Sequence, residues 1–199
     1  MKSVYIIGRD TLPQSISLGE GEQLSLTIVY ASALEGAPAE ADIPLTVSLD
    51  GRGASLDIAG LYICKGESRL RLKVDVRHNA CGCTSRQLFK GLVADQAKAV
   101  FDGLVYVAHG AQKTSAAQES HAILLSAGAV AENRPQLEIY ADDVECSHGA
   151  TCGQLNDDEL FYMRSRGIPE DEARRLQILS FLSPVLSRLP EDLAESIMK

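Results

Sequence analysis

Residues 133–167 read NRPQLEIYADDVECSHGATCGQLNDDELFYMRSRG, and this stretch takes the chain from β-strand to α-helix. In its first part, apolar Leu137 and Ile139 alternate with polar residues, and this period of two predicts a strand. A turn-rich segment follows, with two cysteines, one histidine and three acidic residues. Asn156 then offers an N-cap oxygen ahead of three acids, which predicts a helix ending at Gly167. The stretch therefore predicts the end of a β body, a candidate site and the start of a helical region.

The chain before this stretch is a series of short aliphatic and β-branched runs separated by turn residues. Residues 69–76, RLRLKVDV, alternate apolar and charged side chains, so one face of that strand is expected to be buried. Residues 88–93, LFKGLV, return twelve positions later as VFDGLV in residues 100–105. Repeated short strands with glycine at matched positions are typical of a β-solenoid, in which coils stack on one another. Many short strands also suit a sandwich, and the pattern alone leaves both open.

The C-terminal part of the chain has a helical pattern. Residues 157–166 form the first predicted helix, and Pro169 stands at an N1 position that opens a second. Pro184 is expected to end or kink the second helix, and Pro190 opens a third, EDLAESIM. The tail is therefore predicted to be a small helical appendage on the β body.

Charge and composition exclude several classes of function. A formal net charge of −8 over 199 residues argues against nucleic acid or an anionic membrane as the main partner. No apolar run approaches the roughly 20 residues of a spanning helix, and the N-terminus does not suit a signal peptide, so we expect a cytoplasmic protein. Five cysteines in that setting predict reduced thiols. The chain has no Walker A phosphate loop and no Ser-His-Asp signature, and His109 and His121 stand in unremarkable contexts.

A C-x-H pair, Cys146 and His148, is the first candidate site. Residues two apart in a strand project from the same face, so thiolate and imidazole can converge on one iron or exchange a proton. Cys152 is a candidate third ligand, with Glu145 as a fourth. The alternative for an isolated C-x-H is a core cysteine beside a polar surface histidine, with Cys152 a buried thiol.

Two further groups of residues are candidate sites. Cys81 and Cys83 lie close to His78 and suggest a metal or redox site, but the intervening glycine marks a turn and favours a structural role. Cys64 is expected in the core. The acidic residues of segment 142–145 suit either a hard cation or a solvated surface.

The EIYADDV, CSHGAT and LFYMRSRGI blocks closely resemble the C-terminal core of the SufB/SufD family, scaffold components of iron–sulfur cluster assembly, and look like its SufD side. The resemblance extends upstream through SRQLFKGLV, AVFDGLVYV and AQKTSAAQ. It implies a mainly β protein: a right-handed parallel β-helix over residues 1–152, followed by a C-terminal helical region over residues 153–199. Family chains are about twice as long, so this chain is N-terminally short.

The resemblance also implies a site. In the SufD group the histidine of the CSHGAT block is a cluster-assembly residue at the contact with SufB, and His148 is the matching position. Cys146 would be an accessory thiol. Cys152, the third candidate metal ligand beside His148 and Cys146, is not implied by the resemblance, because SufD relatives often have an apolar residue at that position. The PQLEIY strand lacks the thiol that SufB carries there. A scaffold rather than an enzyme is implied, with a transient iron–sulfur cluster in the complex and none bound in isolation.

Two partners follow from the resemblance: a SufC-like ATPase docked on the tail helices, and a SufB/SufD-type chain or a second copy, giving a homodimer. The candidate docking residues are Phe161, Tyr162, Arg164 and Arg166. The helices could instead cap the open end of the solenoid. Two other functions stay open: a free-standing metal-binding protein or metalloenzyme using Cys146, His148 and Cys152, and a structural partner of SufC without a cluster.

Overall fold

The computed structural model describes residues 2–198, so Met1 and Lys199, the outer ends of the two predicted domains, lie outside it. Eleven strands are followed by three helices in this range. The strands are β1 (Lys2–Ile6), β2 (Ser15–Leu18), β3 (Gln23–Ala31), β4 (Glu40–Leu49), β5 (Ser55–Cys64), β6 (Arg69–His78), β7 (Thr84–Val93), β8 (Lys98–Val107), β9 (Thr114–Leu124), β10 (Val130–Ile139) and β11 (Val144–Gly153). The helices are α1 (Asp157–Ser165), α2 (Glu170–Leu186) and α3 (Glu191–Ile197).

The strands form two parallel sheets and alternate between them along the chain. One sheet has the order β1-β3-β5-β7-β9-β11 and the other β10-β8-β6-β4-β2. Successive register partners in the first sheet are Ser55, Thr84, Ser115 and Glu145, so one coil takes 29, 31 and 30 residues. This is a parallel β-solenoid of about five coils. The prediction of a β-solenoid with a helical tail is confirmed.

Aromatic rings and glycines share the space inside the coils. The echoed phenylalanines, Phe89 and Phe101, are not one coil apart; they face each other across the lumen, with ring centroids 4.5 Å apart. A Cβ on Gly60 would lie 2.2 Å from the Phe89 ring, and one on Gly91 would lie 1.9 Å from the ring of Tyr62. Glycine is therefore required at Gly60 and Gly91, where an aromatic ring leans over the strand.

The outer face of the six-stranded sheet is also apolar, and the C-terminal helices cover it. This second core combines outward side chains of β3, β5 and β7 with the buried faces of α2 and α3, chiefly Val29, Leu61, Leu92, Leu182, Val185 and Ile197. Arg188, just after α2, makes a 2.9 Å ion pair with Asp57 on β5. The helices thus pack along the side of the solenoid, and the alternative that they cap its open end is wrong.

The helix boundaries agree with the sequence, but the sequence pattern does not predict the short strand β2 or the last strand β11. Asn156 accepts hydrogen bonds from the backbone N–H groups of Asp158 and Glu159, as an N-cap should. The second helix continues through Pro184 and ends two residues later, at Leu186. The segment predicted to be rich in turns is mostly strand β11, Val144–Gly153. No helix among residues 2–198 is long and apolar enough to cross a membrane.

Candidate functional site

The C-terminal end of the solenoid has two unpaired strand edges. Strand β11 is hydrogen-bonded only to β9, and β10 only to β8, so each is the last strand of its sheet. We call this pair of edges, formed by residues 130–139 and 144–153, the open end. Unpaired N–H and C=O groups on such an edge are a template for strand pairing with another chain.

Along β11, the inward-facing residues change from partly buried to exposed. Val144 and Cys146 are partly buried against lumen residues that include Val105 and Ala116. His148 and Cys152 have the same parity along the strand and therefore point to the same face, yet both are exposed. No further coil among the described residues covers them. The imidazole of His148 thus lies at the mouth of the lumen, on the last strand before the helical tail.

The predicted set of four ligands does not converge. β11 is extended throughout, so Cys146 and Cys152, six residues apart, are separated by about 20 Å. Glu145 has the opposite parity and projects from the other face of the strand. No group of three or more His, Cys, Asp or Glu side chains suited to a metal ion occurs among residues 2–198. A single ion can therefore bind Cys146 with His148, but not with Cys152 or Glu145 as well.

The Cys146 thiol is in a partly apolar setting. Burial raises its pKa above the ordinary value, and a hydrogen bond with the Ala116 backbone opposes this only in part. The group is therefore a protonated thiol at neutral pH, and it becomes a ligand only when an incoming metal displaces the proton.

Hydrogen bonds from two neighbouring strands hold the far half of β11, and no sequence pattern indicates them. Inside the lumen, the Asn133 amide donates to the Thr151 carbonyl at 3.0 Å and its oxygen accepts from Ser120 at 2.8 Å. Outside, His121 Nδ1 lies 2.8 Å from Thr151 Oγ1, and its Nε2 lies 3.2 Å from Glu119. The two contacts with Thr151 join residues 18 and 30 positions apart, so only the coil register could have found them.

The cysteine pair near His78 is part of the framework. Cys83 is buried and its thiol donates to the Gly51 carbonyl at 3.2 Å. His78 is fully buried with Nε2 2.8 Å from Ser85 Oγ, and burial lowers its pKa to about 4. Cys64 is buried as predicted, and burial raises its pKa to about 12.

The acidic segment 142–145 is mostly solvated, with no cation site of its own among the described residues. Asp143 forms an ion pair with Lys113. Lys113 holds a left-handed backbone conformation with φ of 61°, where three earlier coils place glycine.

Two of the four predicted docking residues are the most prominent apolar side chains on the tail. Phe161 is 74% exposed and Tyr162 is 60% exposed. Arg166 stacks over the Tyr162 ring at 5.3 Å, and Arg164 pairs with Glu170 at 3.4 Å. Beside them lies a concave groove of about 730 Å³, which we call the α1/α2 groove; its apolar lining is Ile123, Leu155, Tyr162, Met163, Leu176 and Phe181.

Fold and site together define a class: a parallel β-solenoid with two unpaired edges at one end and a helical tail packed along its side. The chain belongs to the SufBD family, because the family model described as "SUF system FeS cluster assembly, SufBD core domain" matches residues 41–181.

Curated proteins that are similar to this chain support the same family. The chain is similar to the iron–sulfur cluster assembly protein SufD of Escherichia coli, with 38% identity over 147 residues, which is 74% of this chain and 35% of the relative. It is 36% identical to SufD of Bacillus subtilis over 145 residues, 73% of this chain and 33% of the relative. It is 45% identical over 106 residues to an iron–sulfur cluster assembly SufBD family protein of Synechocystis, 53% of this chain and 23% of the relative. The chain thus spans about a third of the length of the two SufD relatives.

Proposed function

We propose that this chain is a SufD-like scaffold subunit in iron–sulfur cluster assembly and not an enzyme in its own right. It pairs at the open end with a SufB/SufD-type chain or with a second copy, and it docks a SufC-like ATPase through its tail helices. The observation that carries the proposal is the exposed imidazole of His148 on an unpaired edge strand, in a chain of the SufBD family.

The open end suits pairing with another strand. Both sheets finish here with free backbone groups, and adding a strand to an exposed edge is a common mode of recognition. The outward positions of β11 include Ser147 and Gly149, which are small enough to let another chain approach closely. Two like edges related by a two-fold axis would give a closed dimer.

The ligand count explains why a partner is needed. This chain offers at most two neighbouring ligands at the open end, the thiol of Cys146 and the imidazole of His148. Iron–sulfur clusters are usually held by four side-chain ligands, so the remaining ones must come from the other chain. The cluster is then cargo assembled between two chains, and separation of the chains exposes it for transfer.

The cluster role is tested by anaerobic reconstitution with iron and sulfide of a co-purified SufB-type complex, read by visible absorption. His148→Ala should abolish most of the cluster absorption, while His109→Ala, an exposed histidine on the turn after β8, should leave it unchanged. Equal absorption in both variants would refute the assignment of His148. A stable stoichiometric metal on the isolated monomer would favour a free-standing metalloprotein instead.

Pairing is tested separately by sedimentation of the apo chain with and without a SufB-type chain. Ala150→Asp places a charge at the mouth of the lumen and should prevent association, whereas Ala127→Asp, on an exposed turn between β9 and β10, should not. Association that survives Ala150→Asp would place the interface elsewhere.

The α1/α2 groove provides the basis for ATPase docking. An apolar hollow beside exposed Phe161 and Tyr162 suits helix-in-groove binding. A Phe161→Ala/Tyr162→Ala double variant should weaken capture of a SufC-type ATPase, and Glu172→Ala on the exposed part of α2 serves as control. Unchanged capture would exclude these residues. ATPase binding together with failure of every cluster test would favour a structural subunit without a cluster.

A further inference from the structure

A column of polar side chains runs inside the solenoid beneath His148. Strand register places His148 of β11 beside Gln118 of β9, and Gln118 beside Gln87 of β7. Both glutamines are buried, with 0% and 1% exposure. Cys146, two residues from His148, packs against the inward residue Ala116, two residues from Gln118, so His148 and Gln118 share the inward face.

The amide oxygen of Gln118 has no hydrogen-bond partner. Its Nε2 donates to Gln87 Oε1 in the coil below at 3.0 Å, which leaves Oε1 turned away from Gln87. Gly103 on the opposite sheet makes room for this oxygen, because a Cβ there would lie 2.5 Å from it. Leaving a buried polar atom unpaired costs about 1–3 kcal/mol. Each amide of the pair has one such atom: Gln87 Nε2 lies one coil deeper, and Gln118 Oε1 lies in the coil next to β11.

The other polar side chains at the mouth of the lumen already have hydrogen-bond partners. The Asn133 oxygen accepts from Ser120, and the Thr114 hydroxyl donates to the Ala111 carbonyl. Within the described part of β9 and β10, Gln118 Oε1 is the buried side-chain acceptor without a partner.

A histidine that binds metal through one ring nitrogen almost always donates its other N–H to a fixed acceptor, which sets the tautomer and the ring orientation. Neighbouring parallel strands lie about 4.8 Å apart, so an imidazole on β11 can reach an amide oxygen on β9. We propose that Gln118 is the positioning residue of His148: when the imidazole turns towards the lumen, Gln118 Oε1 accepts the inward ring N–H, and the other nitrogen then faces the partner chain. This deepens the proposed function and rests on it for its biological role.

The first test uses the isolated chain with ¹⁵N-labelled histidine, so it does not depend on a cluster. The spectrum of His148→Ala identifies the His148 ring signals. Gln118→Met removes the acceptor while keeping the length of the side chain, and should shift the two ring ¹⁵N resonances of His148 towards those of exposed His109. Gln87→Met breaks the same Gln–Gln hydrogen bond but keeps the oxygen beside His148, so its His148 signals should match wild type.

His148 ring signals that are the same in Gln118→Met as in wild type would overturn the proposal, as would equal shifts in both variants. If Gln118→Met does not fold, the Gln87→Met/Gln118→Met double variant, which leaves neither amide unpaired, takes its place. Gln118→Glu restores an oxygen acceptor and should return the His148 signals towards wild type.

The second test uses Co²⁺ as probe, titrated anaerobically into the SufB-type complex and followed by its visible bands. Loss of the supporting hydrogen bond should weaken Co²⁺ binding about 10–100-fold in Gln118→Met. Gln87→Met should bind as wild type, and an unchanged affinity in Gln118→Met would contradict the positioning role. A wild-type complex that binds no Co²⁺ at His148 would count against the proposed function, while the ring signals would still decide whether Gln118 holds the imidazole.

Discussion

Buried His78 should make the stability of the solenoid fall steeply in mildly acidic solution. Its ring is fully buried with one nitrogen bonded to Ser85 and the other, Nδ1, without a partner. Burial disfavours the charged ring and lowers its pKa from 6.5 to about 4. In the unfolded chain the ring takes up a proton at its ordinary pKa, so between these two values the unfolded state binds more protons than the native state.

The direction and the magnitude of this change in the free energy of unfolding follow from proton linkage. The contribution of the neutral His78 ring to stability is fully present above pH 6.5 and is lost as the pH falls towards 4. The interval between 6.5 and about 4, at about 1.4 kcal/mol per pH unit, gives a total loss of about 3 kcal/mol. That is a sizeable part of the 5–15 kcal/mol that typically stabilises a domain.

The assay is urea unfolding, followed by circular dichroism, at several pH values between 7.5 and 4.5 for wild type and His78→Gln. Carboxylates contribute to the pH dependence in both proteins, so the difference between the two curves isolates the ring. Between pH 7.5 and 4.5, wild type should lose about 2.5 kcal/mol more than His78→Gln. His109→Gln, which removes an exposed histidine, should follow wild type. Parallel curves for wild type and His78→Gln would refute the reasoning.

Three other substitutions test the packing. Gly91→Ala puts a Cβ 1.9 Å from the Tyr62 ring, and should cost about 1–3 kcal/mol in urea unfolding. Leu182→Ala opens a cavity beneath α2, and should cost about 2–5 kcal/mol and speed amide exchange in the tail; a tail that exchanges as in wild type would contradict side-on packing. Lys113→Gly relieves a left-handed backbone worth about 1 kcal/mol and loses only an ion pair with Asp143 that is screened by solvent, so the melting temperature should rise slightly or stay the same.

The alternation of apolar and polar residues predicted most strands, but it did not separate a solenoid from a sandwich. Both give short strands, and the coil period of about 30 residues becomes visible only in the register. The packing of the tail helices against the side of the solenoid is indicated by one feature of the sequence. Residues 58–64 on β5 are apolar without alternation and all buried, because the lumen covers one face and the helices the other.

The site was predictable in its key residue but not in its surroundings. The block of sequence around His148 marks that residue, whereas the rest of β11 predicts turns, because Gly149, Gly153 and the neighbouring small residues have low strand propensity. As the last strand, β11 has one edge without a strand and an inward face that is covered only in part. Its inward positions therefore need not be apolar, and the sequence of β11 lacks the alternation of apolar and polar residues that predicts a strand. Gln118 was invisible because only stacking of the coils brings it beneath His148.

The measurement that bears most directly on the central claim is amide hydrogen exchange of residues 144–153, in the isolated chain and in complex with a SufB-type chain. An edge strand with one side unpaired should exchange quickly alone and become strongly protected in the complex, while residues 15–18 of β2, at the other end of the solenoid, stay unchanged. A stable complex in which residues 144–153 exchange as fast as in the free chain would contradict the claim that the second chain meets His148 at the open end.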